Sequence, residues 1–349
     1  MTGDQASTHP GPADVTREAE LVAAVSTLRA ARSVLLLAHN NPDADSLGSA
    51  VALALGLQAG GATVAVSFDV PGVVPQSLSQ LPGTHLVTPA DSWLNGAVEG
   101  LDLIVALDAG SAERLGRLAG LFGRGVPLLV IDHHLSNTYF GDQNLVDPSA
   151  DATVALVDEL LAALGVPLDI DLATLLYAGL ATDTGGFRHG SAGAHRLAAR
   201  FMESGVDPQA VLRPITDSHP FGWMQMLSDV LGRAALDPDA IGDRGLVHTY
   251  VSLDDLQQLR QEEADSVIDI LRTSCEASAA AVVIQTAAAQ WHVSLRSRGD
   301  VLVGSAATAL GGGGHPRAAG FTWHGDYDGA IAALTEALDP APVVAPFVQ

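Results

Sequence analysis

The sequence predicts an α/β protein: a parallel-sheet, doubly wound domain followed by a smaller α/β C-terminal domain, with a cleft between them. Three observations carry this expectation. Short uncharged apolar runs alternate with longer Ala/Leu-rich stretches through the first half. Prolines 208, 214 and 220 then interrupt the pattern. A second alternation starts near Gly245. Strands alternating with helices build sheets covered on both faces, and such buried strands read as continuous apolar runs.

Taken in order, Ser33 to Ala38 (SVLLLA) is the first strand, and 46–60 is a helix stopped by Gly60-Gly61. Further strands are expected at 62–68, 103–107 and 127–131, with helices at 112–122, 152–164 and 170–181. Helices at 192–203 and 221–233 bridge to the second lobe. That lobe has expected strands at 246–251, 280–285 and 291–296 and helices at 254–261, 263–273 and 328–337. The boundaries that follow are a tail at 1–18, a catalytic metal-binding domain at 19–190, and a helical connector at 191–235. A substrate-binding domain at 236–339 and a tail at 340–349 complete the chain.

The chain has 349 residues and a formal net charge of −23; all 17 basic residues are arginine. A hydrophobic content of 48% is too high for a disordered chain. The single cysteine, Cys275, forbids an intrachain disulfide and fits a reducing compartment. No apolar run reaches the roughly 20 residues needed to span a bilayer, and Met1 to Glu20 lacks a signal-peptide pattern, so a cytoplasmic protein is expected. Such acidity argues against a basic track for long nucleic acid. Residues 290–320 are the exception, with Arg296, Arg298 and Arg317 against Asp300 alone.

Four acid and histidine clusters stand at expected strand or helix ends: His39 to Asp45 (HNNPDAD), Asp108, Asp132-His133-His134, and Asp183 within TDTG. In open α/β sheets ligands bind at the carboxyl ends of the strands. Alone, each cluster has an ordinary explanation, such as an N-cap at Asp43 or Asp45 or a turn at Asp108. Together, crowded aspartates repel and cannot all ionise unaided. A pair of divalent cations about 3.5–4 Å apart, bridged by one carboxylate, resolves the conflict and suits phosphoryl chemistry. Mixed imidazole and carboxylate ligands suit manganese, zinc or iron. In the second lobe, Gly311 to Gly314 allow close backbone approach to an anion.

These four clusters, in this order, resemble the motifs of the DHH phosphoesterase superfamily. Residues 294–298 (SLRSR) and Gly311 to Gly320 (GGGGHPRAAG) resemble its first type of DHH-associated domain. The resemblance implies two metal ions, most simply Mn2+. His39, Asp43 and Asp108 would hold one; Asp45, Asp108, His133 and Asp183 would hold the other. Asp108, Asp132 and His134 are the implied catalytic residues, with Asp132 orienting His133 and His134 facing the phosphate. Arg296, Ser297, Arg298, Gly312, Gly313, Gly314 and His315 are the implied substrate-binding residues.

Length leaves no room for the extra domains of RecJ-type exonucleases, and the absence of lysine disfavours family II pyrophosphatases, whose second domain carries a Ser-Arg-Lys-Lys run. The stand-alone NrnA-type enzymes fit best. They imply hydrolysis of short oligoribonucleotides (nanoRNA, dinucleotides such as pApA) and of 3′-phosphoadenosine 5′-phosphate (pAp), with cyclic di-AMP as a further substrate of relatives. They also make a homodimer plausible, with no membrane partner. The alternatives are a pyrophosphatase or polyphosphatase, and a non-catalytic nucleotide-binding regulator.

Overall fold

The computed structural model describes residues 16–95, 98, 100–257 and 259–338. The chain divides into two compact units. The first comprises residues up to His133 plus Asn137–Leu212; the second comprises His134–Ser136 and the chain from Arg213 onward. The residues expected to connect two lobes, 191–235, are therefore shared between the units. Among the described residues no helix is long and apolar enough to cross a membrane.

The first unit is built on strands β1 (Ser33–Leu37), β2 (Thr63–Ser67), β3 (Leu103–Leu107), β4 (Leu128–Asp132) and β5 (Gln143–Val146). They form one parallel sheet in the order β2-β1-β3-β4-β5. Its helices are α1 (Arg17–Ala30), α2 (Ala44–Ala59), α3 (Asp91–Leu94), α4 (Thr153–Leu164), α5 (Ile170–Asp183) and α6 (Ala192–Glu203), and α7 (Pro208–Thr216) runs across the division after Leu212. β3 and β4 are buried along their whole length, as expected of central strands covered on both faces. Leu35, Leu37, Ile104, Ala106 and Val130 form one face of the core with Leu115, Leu118 and Leu121.

Several elements differ from the sequence expectation. The tail expected to reach residue 18 lies outside the described residues up to 15, and Arg17 and Glu18 already belong to α1. That helix buries only Ala24, Val25 and Leu28, so its apolar stripe is too thin to read. Arg17 instead pins it by ion pairs to Asp147 and Glu159. The expected helix at 112–122 is a 3-10 segment, Ala112–Leu121, broken at Gly116 (φ 59°). A Cβ there would meet the Asn40 and Asp69 side chains at 2.6 Å, so only glycine lets the segment close onto them. β5 was not expected; its sequence, QNLV, is short and half polar.

α2 and α5 pack so closely that two glycines carry the contact. A Cβ on Gly48 would stand 3.0 Å from the Leu175 carbonyl oxygen. One on Gly179 would stand 2.7 Å from Val154 and 2.9 Å from the Asp45 Cα.

The second unit carries β6 (Ala235–Asp237), β7 (Leu246–Val251), β8 (Ala279–Ala287), β9 (Gln290–Ser297), β10 (Gly313–His315) and β11 (Ala318–His324). The sheet order is β10-β11-β9-β8-β7-β6, antiparallel except between β7 and β8. Its helices are α8 (Phe221–Gly232), α9 (Ala240–Asp243), α10 (Leu253–Leu256), α11 (Gln261–Asp265), α12 (Val267–Leu271), α13 (Val303–Ala309) and α14 (Tyr327–Leu338). Alternation along β8 divides the core. Ala279, Ala281 and Val283 pack with α13 and α14 residues such as Ala307 and Leu334. Ala280, Val282 and Ile284 pack with α8 and α12 residues such as Val230 and Ile268. The helix expected at 263–273 is divided between α11 and α12, and α13, β6, β10 and β11 were not expected.

Gly179→Ala should destabilise the protein by roughly 1–3 kcal/mol, the usual cost of overpacking a tight contact. A melting curve matching that of the wild type would show that α2 and α5 can separate at no cost.

Candidate metal centre and substrate-binding residues

Three of the four clusters leave the carboxyl ends of adjacent strands. His39 lies two residues beyond β1, Asp108 follows β3, and Asp132 ends β4 with His133 next. Since β1, β3 and β4 are neighbours, the sheet alone brings these side chains to one rim. β2 lies on one side of β1 and β3 on the other, so His39 and Asp108 flank the point where the strand order reverses. Asp108 adopts a left-handed backbone conformation (φ 57°), uncommon for any residue but glycine.

The other two carboxylates come from helix ends. Asp43 is the N-cap of α2, its Oδ1 accepting the Ser46 N–H at 2.9 Å, while Oδ2 lies 3.6 Å from His39 Nε2. It therefore performs the ordinary capping task and a site task with different oxygens. Asp45 stands in the first turn of α2 and is fully buried. Its two oxygens accept the N–H groups of Thr153 (2.7 Å) and Val154 (2.9 Å), the first residues of α4. Asp183 is the last residue of α5. A carboxylate at the negative end of a helix dipole is unfavourable without a nearby cation.

The imidazoles are fixed in one tautomer. Nδ1 of His39 is 2.8 Å from the Asn40 carbonyl oxygen, and Nδ1 of His133 is 3.1 Å from that of Ala150. A carbonyl only accepts, so each Nδ1 carries the proton and each Nε2 faces the carboxylates. His39 Nε2 lies 3.5 Å from Asp108 Oδ2. His133 Nε2 lies 3.6 Å from Asp108 Oδ1, 3.8 Å from Asp45 Oδ2 and 3.2 Å from Asp183 Oδ2. Asp108 thus divides its oxygens between two clusters, His39-Asp43-Asp108 and Asp45-Asp108-His133. Within each, donor atoms all lie within 4.8 Å of one another. Ligands about 2.1 Å from a shared cation stand about 3–3.5 Å apart, so the spacing fits a cation in each cluster better than direct hydrogen bonds.

The electrostatics agree. Burial pushes the Asp45 carboxyl well up, and the charges of Asp108, Asp183 and Asp43 push it further. For His39, burial and the Arg114 guanidinium oppose protonation, but Asp43 and Asp108 overcome them and raise its pKa to about 9. A proton on Nε2 and a divalent cation answer the same demand for positive charge.

Asp132 is not the orienting partner of the His133 Nδ1–H; the Ala150 carbonyl is. Asp132, fully buried, accepts instead from Asn137 Nδ2 at 2.6 Å, and that amide also bonds the Ala109 carbonyl. Asn137 thus ties the segment after Asp108 to the end of β4. Thr153, whose hydroxyl donates to Asp108 Oδ1 at 2.9 Å, was equally absent from the sequence reading, as was Arg114. None of these belongs to a recognisable spacing, and their residue types are ordinary in loops and helix starts.

The substrate-binding residues expected in the second unit are close in sequence but differently employed. Arg296 lies in β9, and its Nη1 donates to the Leu295 carbonyl. Arg298 lies just beyond β9 and donates to the Cys275 carbonyl at 2.5 Å. The Ser297 hydroxyl donates to the Val301 carbonyl. The expected glycine loop is in part an edge strand, because Gly313–His315 pair with β11. A Cβ on Gly312 would fall 2.1 Å from the Gly320 carbonyl oxygen, and one on Gly314 2.6 Å from that of Ala318, so both glycines serve close backbone packing. His134–Ser136 belong to this unit. There the His134 ring stacks on His315 with centroids 4.4 Å apart, and Ser136 Oγ donates to the Gly314 carbonyl.

A stability measurement tests the charge balance. The raised pKa of His39 contributes stability that is complete below about 6.5 and is lost as pH rises through about 9. The raised Asp45 carboxyl acts in the same sense, its contribution being lost as pH rises through its folded value. Chelator-treated protein should therefore melt at progressively lower temperature from pH 6.5 to 9, and saturating manganese should flatten that slope. A flat profile after chelation would contradict the charge balance described.

Comparison with known proteins shows the family. Residues 33–180 match the family model described as DHH family, N-terminal domain, and residues 245–340 match the DHHA1 domain. The chain is 32% identical over 316 residues to the bifunctional oligoribonuclease and PAP phosphatase NrnA of Thermus thermophilus, covering 87% of this chain and 89% of that protein. An exopolyphosphatase-related protein from Bacteroides fragilis shares the fold, with a TM-score of 0.80 at 20% identity over 94% of this chain and 98% of that one. RecJ from Thermus thermophilus in complex with Mn2+ aligns with a TM-score of 0.51 at 18% identity, over 94% of this chain and 55% of that one. With both domain models matched in order and a full-length relative above 30% identity, the chain belongs to the DHH family, as a DHH N-terminal domain followed by a DHHA1 domain.

Proposed function

We propose that the protein is a two-cation phosphoesterase that hydrolyses short oligoribonucleotides to mononucleotides and pAp to AMP and phosphate. The observation that carries this reading is the division of Asp108 between two histidine-carboxylate clusters. His39, Asp43 and Asp108 would hold one cation; Asp45, Asp108, His133 and Asp183 would hold the other. When bound, such a pair supplies Lewis-acid polarisation of the phosphoryl group and an acidified water. A mixed carboxylate and imidazole donor set suits manganese.

The protein's own groups do the rest. Asn40 and Ala150 hold the two imidazoles in the tautomer that offers Nε2 to a cation. Asp132, through Asn137, fixes the loop that carries Asp108. His134 donates a hydrogen bond or proton to the phosphoryl oxygens. Arg296, Gly312 to Gly314, Ser297 and His315 hold the nucleotide. Arg298 is the second choice for that task; each guanidinium also bonds a main-chain carbonyl, that of Leu295 for Arg296 and that of Cys275 for Arg298. The substrate class is that printed for the Thermus thermophilus relative, an oligoribonuclease and PAP phosphatase.

Product analysis with manganese on pAp, a 5′-phosphorylated dinucleotide, cyclic di-AMP and pyrophosphate tests the reading. Release of mononucleotides and phosphate from the first two is expected, and hydrolysis of pyrophosphate alone would overturn it in favour of a pyrophosphatase. Asp108→Asn should lower kcat at least 100-fold, because one neutral side chain cannot serve two cations. Arg296→Ala should raise KM for a dinucleotide much more than for a small artificial phosphoester; equal losses on both would remove Arg296 from substrate binding.

A further inference from the structure

α4 begins without a cap of its own. Its N-cap residue, Ala152, has no side-chain acceptor, so the first amides of the helix need a partner elsewhere. They find it in Asp45, 108 residues away in sequence, which accepts from both Thr153 and Val154. The same Thr153 turns its hydroxyl to Asp108 Oδ1 at 2.9 Å, and Thr153 is fully buried. An ionised carboxylate only accepts, so the hydroxyl hydrogen is committed to Asp108. One residue thus holds two carboxylates of the centre, including the one shared between its clusters.

We propose that Thr153 is a positioning residue for the cation pair. Its amide and hydroxyl each occupy one lone pair, on Asp45 Oδ2 and Asp108 Oδ1, and so set which lone pairs face His133 Nε2, at 3.8 and 3.6 Å from those same oxygens. Losing the hydroxyl frees Asp108 to rotate and loosens the bridge, while the amide still holds Asp45. The inference rests on the two-cation reading above and adds the residue that keeps the two sites in register.

Calorimetric titration of manganese into the full chain tests it, with Thr153→Val, Thr153→Ala and Thr153→Ser beside the wild type. Electron paramagnetic resonance of the loaded proteins reports the coupling between paired manganese ions. Thr153→Val and Thr153→Ala should bind manganese about 10–100-fold more weakly, the usual cost of losing an outer partner of a ligand. Their coupling signal should be diminished or lost. Thr153→Ser keeps hydroxyl and amide and should match the wild type. Wild-type affinity and coupling in a folded valine or alanine variant overturn the inference, as does a folded serine variant that binds weakly. A wild-type chain that takes up no manganese overturns the two-cation reading and this inference together, so the two failures are distinguishable.

Discussion

Much of the first unit's architecture can be understood from one constraint: four aspartates and two histidines must share a largely buried rim without mutual repulsion opening it. Asp45 and Asp108 are almost fully buried, and so are His39 and His133. A carboxylate in such surroundings is stable only when its lone pairs are filled and opposite charge is near. Backbone amides at the start of α4, the N-cap geometry of α2, the Thr153 hydroxyl and the two imidazoles meet part of that demand. The acidic side chains of this rim also raise one another's need for positive charge, as the raised Asp45 carboxyl and His39 imidazole show.

The sheet makes this crowding possible. Three adjacent parallel strands end at one rim, so residues far apart in sequence arrive side chain to side chain without any dedicated loop. The price is structural precision behind the rim. Gly179 has no side chain because Asp45 occupies the space, and Gly116 has none because Asn40 and Asp69 do. Asp69 in turn bonds the Arg117 backbone and guanidinium, which keeps the segment after Asp108 in place. Substitutions remote from the chemistry can therefore reach it through packing alone.

How legible was this in the sequence? The apolar runs at 33–38, 103–107 and 127–131 marked the central strands because strands covered on both faces have no polar face to confuse the pattern. Histidines and aspartates directly after those runs marked the rim. The elements that escaped notice are those whose stability lies elsewhere. α1 is held by Arg17 and a thin stripe, and β10 is a run of glycines that reads as a loop until β11 is seen beside it. In the centre itself, the outer partners escaped for a related reason. Thr153, Asn137 and the Ala150 carbonyl act through distance in space, and a threonine at a helix start or an asparagine in a turn is indistinguishable in sequence from many that touch nothing of consequence. The expectation that Asp132 orients His133 shows the hazard: the adjacent acidic residue was the natural choice, yet a backbone carbonyl 17 residues on takes that position.

The capping of α4 by Asp45 also bears on how loss of function at this centre is to be read. Replacing Asp45 by alanine deletes a donor to the centre and, in the same stroke, uncaps a helix that has no substitute at Ala152. The lost cap alone is worth about 0.5–2 kcal/mol, offset by relief of the charge crowding. An inactive Asp45 variant therefore reports a mixture of altered chemistry and altered folding, and its residual activity cannot be assigned to either. For this protein, the residue most deeply embedded in the centre is among the least informative to remove.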